Sequence, residues 1–335
     1  MRLAIIRVLG DQGQASKGRT RQSSWLLGSP SSVRRRSSAR YCGRVGSFLD
    51  DTTSQRDSGG VEGRFVGRIG DDWSVVYAFG GVTVAAALRA MEAAADRAEL
   101  RLAAVHAQFV SPVRSGPFTV DTKVLRMGRS VAQIAGELRE QDAPQAGVRL
   151  TGTWAQPRSE DPVHGTGLEP PSVVEPGSPE LLQIQHDPPW DQFAIHEKFE
   201  EWRSPEHFHP GALFTPGVVP EAAVWARLTG DCRDRDGRFE LACLALLADR
   251  VPGPYMGPCL TASEQPDPRP LVSLDMTLRV FAEPTSEWML LHSVIDHAGD
   301  GHVTTRVNIW DEDRSLVATS EQLARFGKSA IRTLR

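Results

Sequence analysis

The stretch FGGVTVAAALRAMEAAADR, residues 79–97, predicts a helix that is apolar on nearly all of its surface. A helix of this kind is buried on most sides, and its short alanine side chains let a sheet pack closely against it. Four strand-like runs follow the helix, at about 103–110, 117–126, 130–140 and 147–155. We therefore predict a meander of antiparallel strands around one buried helix.

The same order of elements occurs a second time. A helix is predicted at about 239–251, and strand-like runs follow near 271–281, 287–295, 302–310 and 315–325. Matching turns join the second and third strands of each copy: Met127-Gly128-Arg129-Ser130 and Ala298-Gly299-Asp300-Gly301. This duplication predicts an α+β protein built from two such units, with a functional site between them.

Composition divides the chain into four segments. Residues 1–60 are rich in Arg and Ser, and Asp11 is the single acidic residue before Asp50. We expect this leader to be disordered and to pack against nothing, or to act as a targeting sequence. We expect the first unit at 61–156, a proline-rich linker at 157–189 and the second unit at 190–330.

The overall composition excludes several classes of protein. The formal net charge is -4, so the chain lacks the concentrated basic face of a nucleic-acid-binding protein. No run of 18 apolar residues is present, which excludes a helical membrane span. The four cysteines have no C-x-x-C spacing, so we expect free thiols in a cytoplasmic protein, without a metal site or a cofactor. They are Cys42, Cys232, Cys243 and Cys259.

Two glycines open the first helix. Gly80 and Gly81 leave backbone N–H groups uncovered at the positive end of the helix dipole. Such donors can polarise a carbonyl group or hold an oxyanion, so we predict that both residues contact a substrate. The alternative is that glycine simply allows the turn into the helix.

Several short motifs follow one another along residues 62–330. In the first half they are Phe79-Gly80-Gly81, His106-Ala107-Gln108-Phe109 and the segment from Val124 to Ser130. In the second half they are Leu244 to Asp249, Ser273-Leu274-Asp275, Glu287-Trp288 and Leu316 to Gln322. With these motifs the chain resembles the acyl-CoA thioesterase II family. The resemblance implies the double-hotdog fold, in which each half is a curved antiparallel sheet around a long helix.

The resemblance also implies hydrolysis of an acyl-CoA thioester, with a fatty-acyl or related chain, to the free acid and CoA. The family's catalytic group is an Asp, a Ser or Thr, and a Gln, and the resemblance assigns the Asp to Asp275 and the Gln to Gln322. A carboxylate can take a proton from the attacking water, and a side-chain amide can hold that water or the carbonyl oxygen. The sequence has no G-x-S-x-G motif, which argues against a serine mechanism of the α/β-hydrolase type.

The resemblance assigns the hydroxyl of this group to the strand 291–297, where Ile295, Asp296 or His297 stands instead of Ser or Thr. We therefore expect Asp296 or His297 to take the polar role. The resemblance also places His106 near the site. Arg129, in the turn after Gly128, is predicted to bind a CoA phosphate.

Two other functions stay open on the sequence. The first is a non-catalytic hotdog protein that binds acyl thioesters, because the expected hydroxyl is missing from its strand. The second is a hotdog dehydratase or hydratase, which would need an Asp and a His within one strand–loop element. In each case the partner is an acyl-CoA or a related thioester, and open sheet edges favour a homo-oligomer.

Overall fold

The alanine-rich stretch forms helix α2, Gly80–Ala95, in the computed structural model of the protein. The structure describes residues 47–158, 165–186, 190–234, 236–260 and 269–328. Most side chains of α2 are buried, as the apolar surface of the stretch predicts. The helix ends at Ala95, and the next residue, Asp96, adopts a left-handed conformation (φ 50°) and donates its N–H to the Glu92 carbonyl oxygen.

The described residues contain thirteen β-strands and three α-helices. The strands are β1 (Ser54–Arg56), β2 (Arg64–Ile69), β3 (Arg101–Phe109), β4 (Gly116–Met127), β5 (Val131–Glu140), β6 (Val148–Ala155), β7 (Leu182–Gln183), β8 (Phe199–Phe208), β9 (Glu221–Leu228), β10 (Leu271–Val280), β11 (Met289–Gly299), β12 (His302–Asp311) and β13 (Leu316–Phe326). The helices are α1 (Phe48–Asp51), α2 and α3 (Cys243–Asp249).

These strands form one antiparallel sheet in the order β1-β2-β4-β5-β6-β3-β10-β13-β12-β11-β9-β8-β7. The predicted duplication is visible in this order, because β2-β4-β5-β6-β3 and β9-β11-β12-β13-β10 follow the same permutation. Each half has its helix after its first strand, and the halves join where β3 pairs with β10. The predicted α+β double hotdog is confirmed, with its two sheets continuous rather than separate.

Helix α3 begins later than predicted, at Cys243 rather than near residue 239. Phe239 still belongs to a β-bridge with Arg233, and its N–H donates to a carboxylate oxygen of Glu283 at 2.9 Å. The backbone at Phe239 is therefore extended and paired with Arg233, and the helix begins only after it.

The end of α3 is also determined by backbone chemistry. One wider helical turn, Val251–Tyr255, follows Asp249. Pro252 and Pro254 lie in this turn and lack the N–H that a continued α-helix needs. The long second helix of the predicted fold is thus replaced by a short helix and a turn. No helix in the described ranges is both long and apolar enough to cross a lipid bilayer.

Residues 47–56 belong to the fold, so the predicted leader boundary at residue 60 is too late. Phe48 is 2% exposed and packs edge-on against Trp73, with 6.5 Å between the ring centroids. β1 extends the sheet by pairing with β2. Composition missed this segment because one aromatic side chain anchors an otherwise polar stretch. The rest of the predicted leader, residues 1–46, lies outside the described residues.

The described part of the predicted linker packs on the second half. Val173 and Leu181 form a small hydrophobic cluster with Trp225 of β9. The indole N–H of Trp225 also donates to the Val174 carbonyl oxygen at 2.8 Å. Trp225 and Val224 are consecutive residues of β9, so their side chains point to opposite faces of the sheet. Val224 belongs to the main core around the helices. The linker therefore covers the outer face of the sheet, which turns away from the helices; the opposite face is called the inner face below.

We expect Phe48→Ala to lower the free energy of unfolding by about 3–5 kcal/mol, because it leaves a cavity beneath α1. Chemical denaturation followed by fluorescence or circular dichroism measures this change. The matched control is Phe281→Ala, since Phe281 is 57% exposed and its loss should cost less than about 0.5 kcal/mol. Equal effects of the two substitutions would show that residues 47–56 do not contribute to the core.

Candidate active site

Strands β10 and β13 bring two polar side chains onto the inner face. Their register places Ser273 opposite Ala324 and Met276 opposite Gln322. Residues paired across neighbouring strands share a face. Met276 and Ala324 are fully buried in the core, so Ser273 and Gln322 also point inward, toward α3.

The third polar group is Asp249, the last residue of α3. Its Oδ1 accepts hydrogen bonds from Ser273 Oγ at 2.7 Å and from Gln322 Nε2 at 2.5 Å. Gln322 Nε2 also donates to Ser273 Oγ at 2.7 Å, which closes the triangle. The other amide atom, Gln322 Oε1, is buried and has no hydrogen-bond partner within the described part of the chain.

The first half of the chain contributes the start of α2. The Gly81 N–H donates to Asp249 Oδ2 at 2.7 Å. A Cβ on Gly81 would lie 2.7 Å from Leu246 Cα and 2.9 Å from the Ala245 carbonyl oxygen, and one on Gly80 would lie 2.7 Å from Asp249 Oδ2. Both glycines therefore lie at the cluster because the two helices touch through their backbones. The Gly81 donor holds a carboxylate, whereas the sequence predicted that it would hold a substrate oxygen.

The environment of Asp249 favours its protonated form. Burial raises the pKa of Asp249 to about 6, although hydrogen bonds from Ser273, Gln322 and the Gly81 N–H act to lower it. The C-terminal end of a helix is also the negative end of its dipole, which is unfavourable for a carboxylate. A carboxyl group with a pKa near 6 can both accept and release a proton close to neutral pH.

A buried ion pair lies directly behind this carboxylate. Arg250 donates to both carboxylate oxygens of Glu201, at 2.8 and 2.6 Å, and the Tyr255 hydroxyl donates to Glu201 at 2.7 Å. Burial alone would raise the pKa of Glu201, but the charge of Arg250 and hydrogen bonds from His186, Arg250 and Tyr255 lower it to about 2. The pair fixes the backbone immediately after Asp249, and the charge of Arg250 lowers the Asp249 pKa.

Asp275, which the family resemblance assigned as the catalytic carboxylate, does not meet Gln322. The register of β10 shifts after Ser273, so that Asp275 lies opposite Leu323. This position is on the outer face, and Asp275 Oδ1 accepts a hydrogen bond from the Leu323 N–H at 3.1 Å. The predicted Asp275–Gln322 pair is therefore wrong, and Gln322 meets Asp249 instead.

Four other predicted site residues lie away from the cluster: Asp296, His297, His106 and Arg129. Asp296 is exposed and forms an ion pair with Arg306 at 2.8 Å, and His297 is exposed beside it. The hydroxyl that contacts Asp249 and Gln322 is that of Ser273 on β10, so the structure does not bring Asp296 or His297 to the position expected of them. His106 is exposed on β3, with its Nδ1 2.9 Å from a hydroxyl on β10. Arg129 is exposed in the turn between β4 and β5, and its contact with a CoA phosphate stays a prediction.

Asp249 and Ser273 are the residues of this cluster to which sequence reasoning gave no role. The sequence carried a signal for Asp249, because this acid ends the apolar run Leu244–Ala248. A carboxylate there is unfavourable through burial and through the helix dipole, and it needs specific partners. Ser273 lies at the start of a predicted strand, and the family resemblance assigns the hydroxyl to β11 instead.

Both halves of the chain match one protein family. Residues 69–155 match the N-terminal domain of acyl-CoA thioesterases, and residues 178–326 match the C-terminal domain. The chain belongs to the acyl-CoA thioesterase family. Family and fold together support hydrolysis of an acyl thioester as the general reaction of this acyl-CoA thioesterase homologue.

Solved structures support the same architecture. A protein with a hot dog fold from Alicyclobacillus acidocaldarius is 19% identical, with a TM-score of 0.66 over 84% of this chain and 98% of that chain. A candidate thioesterase II from Thermobifida fusca is 22% identical, with a TM-score of 0.65 over 84% and 97%. The acyl-CoA thioesterase II TesB2 from Mycobacterium marinum is 15% identical, with a TM-score of 0.61 over 84% and 98%. These similarities show the fold. No curated protein matches the chain significantly.

The polar cluster of this acyl-CoA thioesterase homologue has no counterpart in the first half. The register of the β10–β13 pair shifts after Ser273, and the register of the β3–β6 pair shifts after Leu102. Superposing these two shifts aligns the residues of one half with those of the other. In this alignment, Leu102 corresponds to Ser273 and Gly152 corresponds to Gln322. Because an apolar side chain and a glycine cannot hold a carboxylate, the described first half has no second cluster of this kind.

We expect Gly81→Ala to lower the free energy of unfolding by about 1–3 kcal/mol, because its methyl group would overlap the backbone of Leu246 and Ala245. Gly167→Ala is the control, since Gly167 is exposed, a Cβ on it meets no described atom within 4 Å, and the change should not reduce stability. Urea denaturation of both variants measures the difference. If Gly81→Ala were as stable as the wild type, the close contact between α2 and α3 would be disproved.

Proposed function

We propose that this chain hydrolyses acyl-CoA thioesters to the free acid and CoA, with Asp249 as the general base that activates a water molecule. The observation that carries the proposal is the buried cluster of Asp249, Ser273 and Gln322 beside the start of α2. This cluster contains the Asp, the hydroxyl and the Gln that the family resemblance implies. It favours an enzyme over a protein that only binds thioesters, because the hydroxyl is present on β10.

The hydrogen bonds already formed leave specific positions for a water molecule. A carboxylate has about four acceptor positions, and Asp249 uses three of them, for Ser273, Gln322 and Gly81. One position on Asp249 Oδ2 is left over, and Gln322 Oε1 is a second buried acceptor. In our proposal the attacking water donates its hydrogens to these acceptors. Its lone pair is then directed toward the thioester carbonyl carbon.

The proposed reaction needs no covalent enzyme intermediate. The water oxygen attacks the carbonyl carbon while Asp249 takes one proton from the water. The carbon–sulfur bond then breaks, and the proton passes from Asp249 to the sulfur of CoA. The products are the carboxylic acid and the thiol, and Asp249 returns to the carboxylate form. A pKa of about 6 allows Asp249 to act in both proton transfers.

Ser273 holds the carboxylate through its hydroxyl, and the same contact suggests a second candidate mechanism. A serine hydroxyl 2.7 Å from a carboxylate could itself attack the thioester and form an acyl-serine. The two routes predict different effects of the substitution Ser273→Ala on kcat. In the water route, kcat falls about tenfold, because the substitution removes one hydrogen bond that positions Asp249. The covalent route loses nearly all turnover, and its wild type accumulates an acyl adduct visible by mass spectrometry.

Asp249→Asn is expected to reduce kcat by about 10²–10⁴-fold, because it removes the general base. Release of free thiol from a panel of acyl-CoAs of different chain length measures the loss and also reports the preferred acyl chain. Folding should survive, since rotation of the Gln322 amide can place Oε1 against the new Asn side chain.

The matched control is Asp275→Asn, on the same sheet but on its outer face. It should change kcat by less than about threefold. Full activity of Asp249→Asn, or equal losses in both variants, would contradict the assignment of the base. Hydration of a 2-enoyl-CoA by the wild type, without thiol release, would instead identify a hydratase.

The pH dependence follows from the raised pKa of Asp249. We expect kcat/KM to fall about tenfold per pH unit below a pH of about 6 and to be level above it, because only the carboxylate form accepts a proton. The free energy of unfolding changes with pH in the opposite direction. The raised pKa of Asp249 stabilises the fold fully below about pH 4, and this stabilisation is lost as the pH rises to about 6. A pH–rate profile combined with melting curves tests both trends. A rate that does not change between pH 5 and 7 would exclude Asp249 as the base.

A further inference from the structure

A second polar cluster lies on the outer face of the sheet, away from the candidate active site. His207, Glu221 and His292 are on the neighbouring strands β8, β9 and β11. Within the described ranges they form the one group of three His, Cys, Asp or Glu residues whose ligand atoms all lie within 4.8 Å of one another. All three side chains are about one-fifth exposed, so water and ions can reach them.

The hydrogen-bond chemistry of His207 points to a cation between these groups. Its Nδ1 lies 3.1 Å from Glu221 Oε1, and its Nε2 lies 3.3 Å from the Ser172 carbonyl oxygen. Both neighbours are acceptors, but a neutral imidazole has only one N–H. With Nε2–H donating to the carbonyl, the Nδ1 lone pair faces the carboxylate. In that tautomer, a metal ion or a shared proton between the Nδ1 lone pair and the carboxylate would remove the repulsion between these two acceptors.

The identity and spacing of the ligands favour a metal ion. His292 Nε2 lies 2.9 Å from Glu221 Oε2, so two imidazole nitrogens converge on one carboxylate. Ligands bound to Zn²⁺ at about 2.0–2.2 Å lie roughly 3–3.5 Å apart. The observed nitrogen–oxygen separations are therefore close to those of a filled site. Two imidazoles and a carboxylate also form a ligand set that divalent transition metals prefer.

We propose that His207, Glu221 and His292 bind one divalent transition-metal ion such as Zn²⁺, with water in the remaining coordination position. The Ser172 carbonyl accepts the outer N–H of His207 and orients that ligand, as hydrogen bonds around metal sites commonly do. Ser172 belongs to the linker, so the ion would connect three strands of the second half to the segment that covers their outer face. Its role would be to stabilise this part of the fold.

Cysteine spacing in the sequence indicated no metal site, and the structure explains why the pattern was not visible. The ligands are 14 and 71 positions apart along the chain, which matches no local metal-binding motif. They meet only because β9 lies between β8 and β11 in the sheet. Side-chain alternation then places all three on the same face.

The test uses the full chain without a polyhistidine tag, freed of metal by a chelator and then dialysed. Isothermal titration with ZnCl₂ should give one ion per chain, and saturating Zn²⁺ should raise the melting temperature by at least about 3 °C. Glu221→Gln and His292→Gln should lose both effects. His297→Gln should keep both, because His297 is an exposed histidine on the same strand.

Co²⁺ provides a readout that does not depend on the variants. Bound by two imidazoles and a carboxylate, it should show visible d–d bands without an intense thiolate charge-transfer band in the near ultraviolet. A thiolate band would place the metal on cysteine and overturn the proposal. So would the absence of Zn²⁺ uptake by the wild type, or uptake by Glu221→Gln equal to that of the wild type. The last two results would leave a shared proton as the cation between the acceptors.

Discussion

The carboxylate of Asp249 lies in the interior of the protein, where its ionised form depends on hydrogen bonds from three separate elements. Gly81 comes from the start of α2, Ser273 from β10 and Gln322 from β13. An unpaired buried carboxylate would be strongly unfavourable. The two helices and the two strands must therefore keep the relative positions in which these hydrogen bonds form. The close approach of α2 and α3 and the ion pair of Arg250 behind Asp249 both serve this requirement.

The two halves of the chain have taken different roles within one architecture. They share the strand permutation and the register shift, but the second half alone has polar side chains at the positions of Ser273 and Gln322. The first half contributes the backbone of Gly81 and the apolar helix α2. At the corresponding positions, Leu102 is part of the core, and the side chains of Trp154 and Met91 occupy the space next to Gly152. A duplicated fold therefore supplies one cluster, assembled from both copies.

The eight strands that follow the two helices, and helix α2 itself, were predictable from the sequence to within a few residues, because helix and strand periodicities are local. The strand-like run 302–310 became β12, His302–Asp311, and the stretch 79–97 contains α2. The candidate site was only partly predictable. Gln322, which the family resemblance assigned to the site, lies in the cluster, but a one-residue register shift turns Asp275 to the outer face. Register shifts depend on the partner strand, so a single sequence does not reveal them.

The seam between the halves has a consequence for synthesis of the protein. β3 ends at Phe109, but its partner β10 begins only at Leu271. At typical translation rates, β3 waits roughly 8–30 s for that partner while the intervening chain is made. During this time its unpaired backbone groups are open to another nascent chain. We infer that the edge of β3 is a point of contact with other chains until the second half has been made.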